Sequence, residues 1–180
     1  MKKVVDVKVF QDEHPENPRD WDNLGTMVCS HKRYEFGDEQ LDTSQFDSWE
    51  EVEKYIKEER NAVIVLPLMV YDHSGISMYI KGDGGYRQHE AWDSGQVGFI
   101  YVSHEDVEKE YGYINPNILD LAENCLRAEV ETYSTYLEGD VWGVIAYDEK
   151  GEETNALWGL FGQGAVDECI AEFKGEVVKA

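Results

Sequence analysis

The sequence predicts an α+β fold: a single domain over residues 1–180, with a mixed, mostly antiparallel sheet packed by about four helices. Three observations carry this. Segments that alternate with period two and segments with helical periodicity follow one another without the regular strand–helix alternation of parallel-sheet proteins. Glu149-Lys150-Gly151-Glu152 lies between two strand-like runs and reads as a hairpin turn. Finally, the 180 residues are 42% hydrophobic and 12% aromatic, with four prolines and no Ser/Gly/Pro-rich linker, which suits one packed core.

The elements follow in order. Val5, Val7 and Val9 alternate with Asp6 and Lys8, giving a half-buried strand, and residues 11–23 form a polar loop with Pro15 and Pro18. Residues 26–29 make a short strand, followed by a long acidic connection through Gly37, Asp38 and Asp42. A helix begins at Ser48, where Ser48 and Glu51 have capping-box spacing and Trp49, Val52, Tyr55 and Ile56 share one face. Residues 62–71 read as a strand buried on both faces, and Pro67 demands a bulge, a bend or an edge within it.

Residues 76–81 and 97–102 read as two further strands, with Gly82-Asp83-Gly84-Gly85 as a hairpin tip between them. No helix follows these glycines, so they do not form a phosphate cradle. Ser103 caps a short helix with Asp106 at its N3 position, and Asn115-Pro116 opens the longest helix. Ile118, Leu121, Ala122, Cys125, Leu126, Tyr133 and Leu137 supply the apolar face of that helix, and Gly139 stops it. Residues 141–147 and 154–160 are the hairpin strands, and residues 166–173 form a final amphipathic helix.

Charge bounds the partners. Thirty-eight Asp and Glu against sixteen Lys and Arg give a net charge of -22. Such a chain lacks the cations that displace counterions from a phosphate backbone, so direct duplex binding is not expected, whereas a basic protein surface is attracted. The same excess also serves solubility alone. Cys29, Cys125 and Cys169 are odd in number and widely spaced, which gives neither a disulfide framework nor a zinc site. Cys29 and Cys125 read as buried small hydrophobes. With no apolar signal core and no run of about 20 apolar residues, the expectation is a cytoplasmic protein away from the membrane.

Three polar clusters offer places for chemistry: Asp20-Trp21-Asp22-Asn23 with His31, Tyr71-Asp72-His73-Ser74-Gly75, and His89 with Trp92-Asp93-Ser94-Gly95-Gln96. If they converge, His31 or His73 can exchange a proton near neutral pH, oriented by Asp22, Asp72 or Asp93. Two histidines and a carboxylate could alternatively hold a metal, although no spacing here is that of a known metal, nucleophile or phosphate motif, and no cofactor is named by the sequence. The competing reading is architectural: Asp72 and Asp93 precede Ser or His and then Gly, as in Asx-type turns, Asp22 or Asn23 satisfy loop backbone, and Trp21 and Trp92 are core or rim residues.

The helices carry a different kind of candidate. Glu50, Glu51, Glu53, Glu58 and Glu59 decorate the first, Glu105, Asp106, Glu108 and Glu110 the second, and Glu123, Glu129 and Glu131 the third. Rows of carboxylates on rigid helices can imitate the spaced phosphates of a nucleic acid, and they are also what an ordinary solvated face looks like.

Asp20-Trp21-Asp22-Asn23-Leu24-Gly25-Thr26-Met27, Tyr71-Asp72-His73-Ser74-Gly75 and Trp92-Asp93-Ser94-Gly95-Gln96-Val97-Gly98 together resemble a group of small acidic proteins encoded by phages, plasmids and other bacterial mobile elements. The resemblance spans most of the chain and implies an anti-restriction or anti-CRISPR setting, without a residue of known role to carry over. The leading expectation is therefore an anti-defence inhibitor acting in the bacterial cytoplasm. Its helix acids, Glu50, Glu51, Glu53, Glu58, Glu59, Glu105, Asp106 and Glu108, would bind a basic nucleic-acid-binding surface of a host nuclease, either a Cas9-type effector or a restriction enzyme. Two alternatives stand beside it. One is a nuclease or other hydrolase acting on RNA or nucleotides through His31, His73, Asp93, Asp22 and Asp72. The other is a non-catalytic accessory phage protein.

Overall fold

The computed structural model describes residues 4–72, 75–83 and 94–175. It is α+β, with four α-helices and two sheets whose strands pair antiparallel except at one short parallel step. The strands that the sequence suggests as one sheet are shared between two. The reason is a long-range pairing that periodicity does not reveal: β1 (Val4–Gln11) pairs antiparallel with β7 (Val141–Asp148), and β7 with β8 (Glu153–Phe161). By Cα proximity the chain divides into two compact units, one of Met1–Asn17 with Thr135–Ala180 and the other of Pro18–Ser134.

In the larger unit the strand order is β3-β2-β6-β4-β5. Here β2 is Thr26–Cys29, β3 is the two-residue Glu39–Gln40, β4 is Ala62–Asp72, β5 is Ile76–Ile80 and β6 is Ser94–Ser103. Both β5 and β6 pair with β4 and lie on its opposite sides. The expected hairpin between β5 and β6, with its tip at Gly82-Asp83-Gly84-Gly85, is thus corrected: β4 separates the two strands, and residues 84 and 85 lie outside the described residues. Central placement of β4 puts Pro67 inside a sheet, where a residue without an N–H is tolerated beside an irregularity. The register of β4 against β6 shifts between Leu68 and Met69, one residue after the proline.

Helix α1 (Trp49–Glu59) covers one face of this sheet. Its Val52 and Ile56 bury against Val28, Phe99 and Tyr101, with Trp49, Phe46 and Val65 packed around them. The Trp49 ring meets Phe99 edge-on at 5.9 Å. These residues alternate with Met27 and Ile100, which point to the other face as period-two side chains must. There Ile100 approaches Leu126 of α3 (Pro116–Leu137) closely enough that a Cβ on Gly25 would touch both. Between β2 and β6 the backbones meet at Gly98, where a Cβ would lie 2.0 Å from the Val28 carbonyl oxygen, so only glycine fits.

The ends of the helices follow the sequence closely. Ser48 Oγ accepts from the Glu51 N–H at 3.3 Å, while the Glu51 carboxylate accepts from the N–H of Asp47 at 2.9 Å, one residue before the cap. In α2 (His104–Tyr111), Ser103 Oγ accepts from the Asp106 N–H at 3.1 Å. In α3 the Asn115 carboxamide oxygen accepts from the Ile118 N–H at 2.9 Å, ahead of Pro116 at the first helical position. The buried face of α3 is Ile118, Ala122, Leu126, Val130, Tyr133 and Ser134, so Val130 joins the expected set and Leu121 leaves it at 54% exposure.

In the smaller unit, α4 (Gly162–Lys174) packs Val166 and Cys169 onto Val144 and Leu160, flanked by Val7, Trp142 and Phe173. The β7–β8 turn is the hairpin that Glu149-Lys150-Gly151-Glu152 foretells. The buried Asp148 carboxylate accepts from the N–H groups of Lys150 and Glu152, at 2.9 and 3.0 Å, and closes it.

Candidate functional site

Two kinds of candidate can be placed: the His/Asp loop clusters and the acidic helices.

Of the loop set, His73 and Asp93 lie outside the described residues, as do His89 and Trp92. His31 and Asp72 are linked through Arg33, a residue that the sequence reading passed over. The Arg33 N–H donates to His31 Nδ1 at 3.3 Å, and its guanidinium forms an ion pair with the Asp72 carboxylate. The His31 ring stacks on Tyr34 at 5.2 Å and leans on the buried Phe36 at 5.4 Å, and Arg33 lies 5.4 Å over Tyr34. Among the described residues the Asp72 carboxylate is therefore paired with Arg33. Asp22 is exposed and has no hydrogen bond or ion pair among the described residues. The adjacent Asn23 plays an architectural part, donating from its side chain to the carbonyls of Pro18 and Trp21 at 2.9 and 3.0 Å, and Trp21 is a rim residue at 45% exposure. Among the described residues no group of three His, Cys, Asp or Glu could hold a metal ion.

The chain's most developed polar constellation lies beside the first cluster and centres on Arg19. The guanidinium is 3% exposed and makes a bidentate pair with Asp38 at 3.0 and 2.7 Å. It also donates to Glu129 at 2.9 Å and to the Gly25 carbonyl at 2.7 Å. Glu129 in turn accepts from the N–H groups of Leu24 and Gly25, and Asp38 from that of Met27. Burial works to lower the pKa of Arg19, but hydrogen bonds and charge from Asp38 and Glu129 outweigh it, so the net direction is upward. Every polar atom of the cluster has a partner within the protein, which is the signature of an architectural clamp joining loop, strand and helix. Its signal in the sequence is a lone cation, Arg19, in an acidic stretch. Nearby Cys29 is fully buried, and burial pushes its thiol up to about 12.

The acidic helices are organised differently. Along α1, Glu53 pairs with Lys57 at 2.5 Å and Glu58 with Lys54 at 3.9 Å, and Glu51 is used in capping. Glu50, at the N-terminal turn, has its carboxyl held below the usual range by its own backbone N–H and the Ser48 hydroxyl. Glu59 has no ion-pair partner among the described residues, and neither have Glu105 and Glu108 of α2. Asp106 accepts from the Ser103 hydroxyl at 2.5 Å.

One backbone contact joins the two rows. The carbonyl of Asn61, left-handed at φ 47°, accepts from the N–H of His104 at 2.9 Å, and Ala62 pairs with Ser103 in the sheet. The C-terminal end of α1 and the N-terminal end of α2 thus meet at one place on the sheet. Arg60, which follows α1, is paired to Glu39 at 3.0 Å. The structure brings the ends of these two helices together, and the sequence shows them only as separate rows.

No protein-family model matches the chain, and neither a curated protein nor a solved structure matches it.

Proposed function

We propose that this chain is an anti-defence inhibitor of a mobile genetic element, which occupies a basic nucleic-acid-binding surface of a nuclease and acts partly as a nucleic-acid mimic. The observation that supports it most is the junction of α1 and α2. Glu59, Glu105 and Glu108 are exposed there without a cationic partner among the described residues, on helices fixed by the buried Val52, Ile56 and Val107. Carboxylates held on anchored helices lose little freedom on meeting a basic surface, and a net charge of -22 steers the encounter. The mobile-element setting comes from the resemblance of the Asp20, Tyr71 and Trp92 motifs.

The test mixes the protein with a guide-loaded Cas9-type effector and its target DNA, and resolves DNA and RNA together on a denaturing gel. Protected DNA with intact guide, lost as salt is raised, is the expected result. A shortened guide would instead favour the hydrolase and its histidines. Cut DNA with intact guide removes this target, and the same assay with a restriction enzyme then decides the proposal.

A further inference from the structure

In the smaller unit α4 packs against one face of the three-stranded sheet. Val7, Trp142 and Val144 point to that helix, so the alternate residues Lys8, Phe10, Ile145 and Tyr147 point away from it. Trp158 of β8 joins them. Its ring lies over Gly143, where a Cβ would come within 2.2 Å of it, and stands 6.5 Å from the ring of Phe10 across the sheet. Gly143 thereby makes room for an indole laid flat on the strand. Phe10 and Trp158 remain 41% and 48% exposed.

The rim of this platform is acidic. Asp6 and Asp12 continue the same alternation on β1 and at its end, and Glu153 is paired opposite Tyr147. The Asp12 carboxylate accepts from the Gly159 N–H at 3.2 Å, next to Trp158, while Glu153 has no ion-pair partner among the described residues. The face already shows how it receives a cation: Lys8 Nζ sits 5.2 Å over the Tyr147 ring and 3.8 Å from the Asp6 carboxylate. Phe10 and Trp158 offer the same pairing of ring and carboxylate with no lysine in place. A second copy of this chain is a poor occupant, because it would bring the same acidic rim and a further charge of -22.

We propose that the face bearing Phe10 and Trp158 is a docking surface for an arginine-bearing apolar segment of a basic partner protein. A guanidinium stacks on the Trp158 indole, the Asp12 and Glu153 carboxylates balance its charge, and an aliphatic neighbour covers Phe10 and Ile145. This surface does not depend on what the α1–α2 junction meets.

The test uses the full chain and a fluorescein-labelled peptide of alternating arginine and leucine, read by anisotropy. Trp158→Ala should weaken binding about tenfold, the loss expected for a stacked cation, and Phe10→Ala, which removes apolar cover, should weaken it less. Trp158→Phe should keep most of the affinity, and replacing the peptide's arginines by lysines should weaken it. In the double variant Glu59→Lys/Glu105→Lys, adding Trp158→Ala should still weaken peptide binding about tenfold, which separates this surface from the one proposed above. Circular dichroism and thermal unfolding report whether each variant is folded. Absence of binding, or equal affinity for parent and Trp158→Ala, would overturn the proposal. So would self-association of the parent chain that Trp158→Ala abolishes, since the face would then belong to a second copy.

Discussion

Asp38 and Glu129 on one side, and Glu59, Glu105 and Glu108 on the other, are carboxylates of the same unit with opposite uses. The first two converge on a guanidinium that is 3% exposed and also accept from backbone N–H groups. The other three stand on helix surfaces with no ion-pair partner among the described residues. Composition alone treats all five alike. What separates them is whether the fold brings a donor to each oxygen, and so acidity in this protein is partly architecture and partly surface. The buried kind should control stability and the exposed kind should control association.

The sharpest way to break that division is Arg19→Met. It leaves Asp38 and Glu129 facing each other without a cation, and removing one partner from a buried ionic network typically costs about 3–5 kcal/mol. Urea unfolding should show a fall of that order with the slope unchanged. Arg19→Lys should recover only part of it, because an ammonium cannot reproduce the bidentate fork on Asp38 or reach the Gly25 carbonyl at the same time. A parent-like stability for Arg19→Met would show that the clamp is incidental.

The same buried region predicts an alkaline limit. The Cys29 thiol moves from an ordinary 9.0 to about 12 on burial, with the Asp38 charge adding to the effect. A group whose pKa is raised in the folded state supports folding fully below its unfolded value and ceases to do so as pH climbs through the folded one. Between pH 9 and 12, therefore, this thiol should erode stability progressively as pH rises. Comparing the parent with Cys29→Ala across that window isolates the term, since the variant should lose less stability as pH rises. Iodoacetamide at pH 8 should leave Cys29 of the native protein unmodified, and labelling there would contradict its burial.

How much of this could be read in advance depends on whether a signal is local. Strands, caps and helix faces were legible because they repeat within a few residues: Ser48, Ser103 and Pro116 mark their helices, and the 149–152 turn marks its hairpin. The division into two sheets was not legible, since β1 finds β7 across most of the chain. The candidate site divides the same way. The acidic rows were visible, but the Asn61–His104 contact that joins them, the Arg33–Asp72 pair and the Glu129 partner of Arg19 all require distant segments to meet. In sequence the loop histidines stand out as titratable groups in turns, whereas among the described residues His31 and Asp72 meet at Arg33, which no motif marks.

Capping gives a smaller effect that links the two kinds of carboxylate. Ser103→Ala removes the acceptor for the Asp106 N–H and the donor to the Asp106 carboxylate, and should cost about 1 kcal/mol. Because α2 carries Glu105 and Glu108, fraying of its first turn should also weaken partner binding. A loss of stability without any loss of binding would mean that these acids need no rigid helix.

The smallest expected change in stability is the most informative for function. Glu59→Lys, Glu105→Lys and Glu108→Lys alter exposed side chains on a chain with excess negative charge, so each should shift unfolding by no more than about 0.5 kcal/mol, in the stabilising direction where like charges are relieved. Their effect on association with a basic nuclease should be far larger, appear mainly in the association rate, and shrink as salt screens the approach. The pairing of near-zero stability change with a salt-sensitive binding defect is the mirror image of Arg19→Met. If the reversals leave nuclease inhibition intact at low salt, the acids of α1 and α2 are a solvated surface only, and any inhibition the protein shows must be carried by another face.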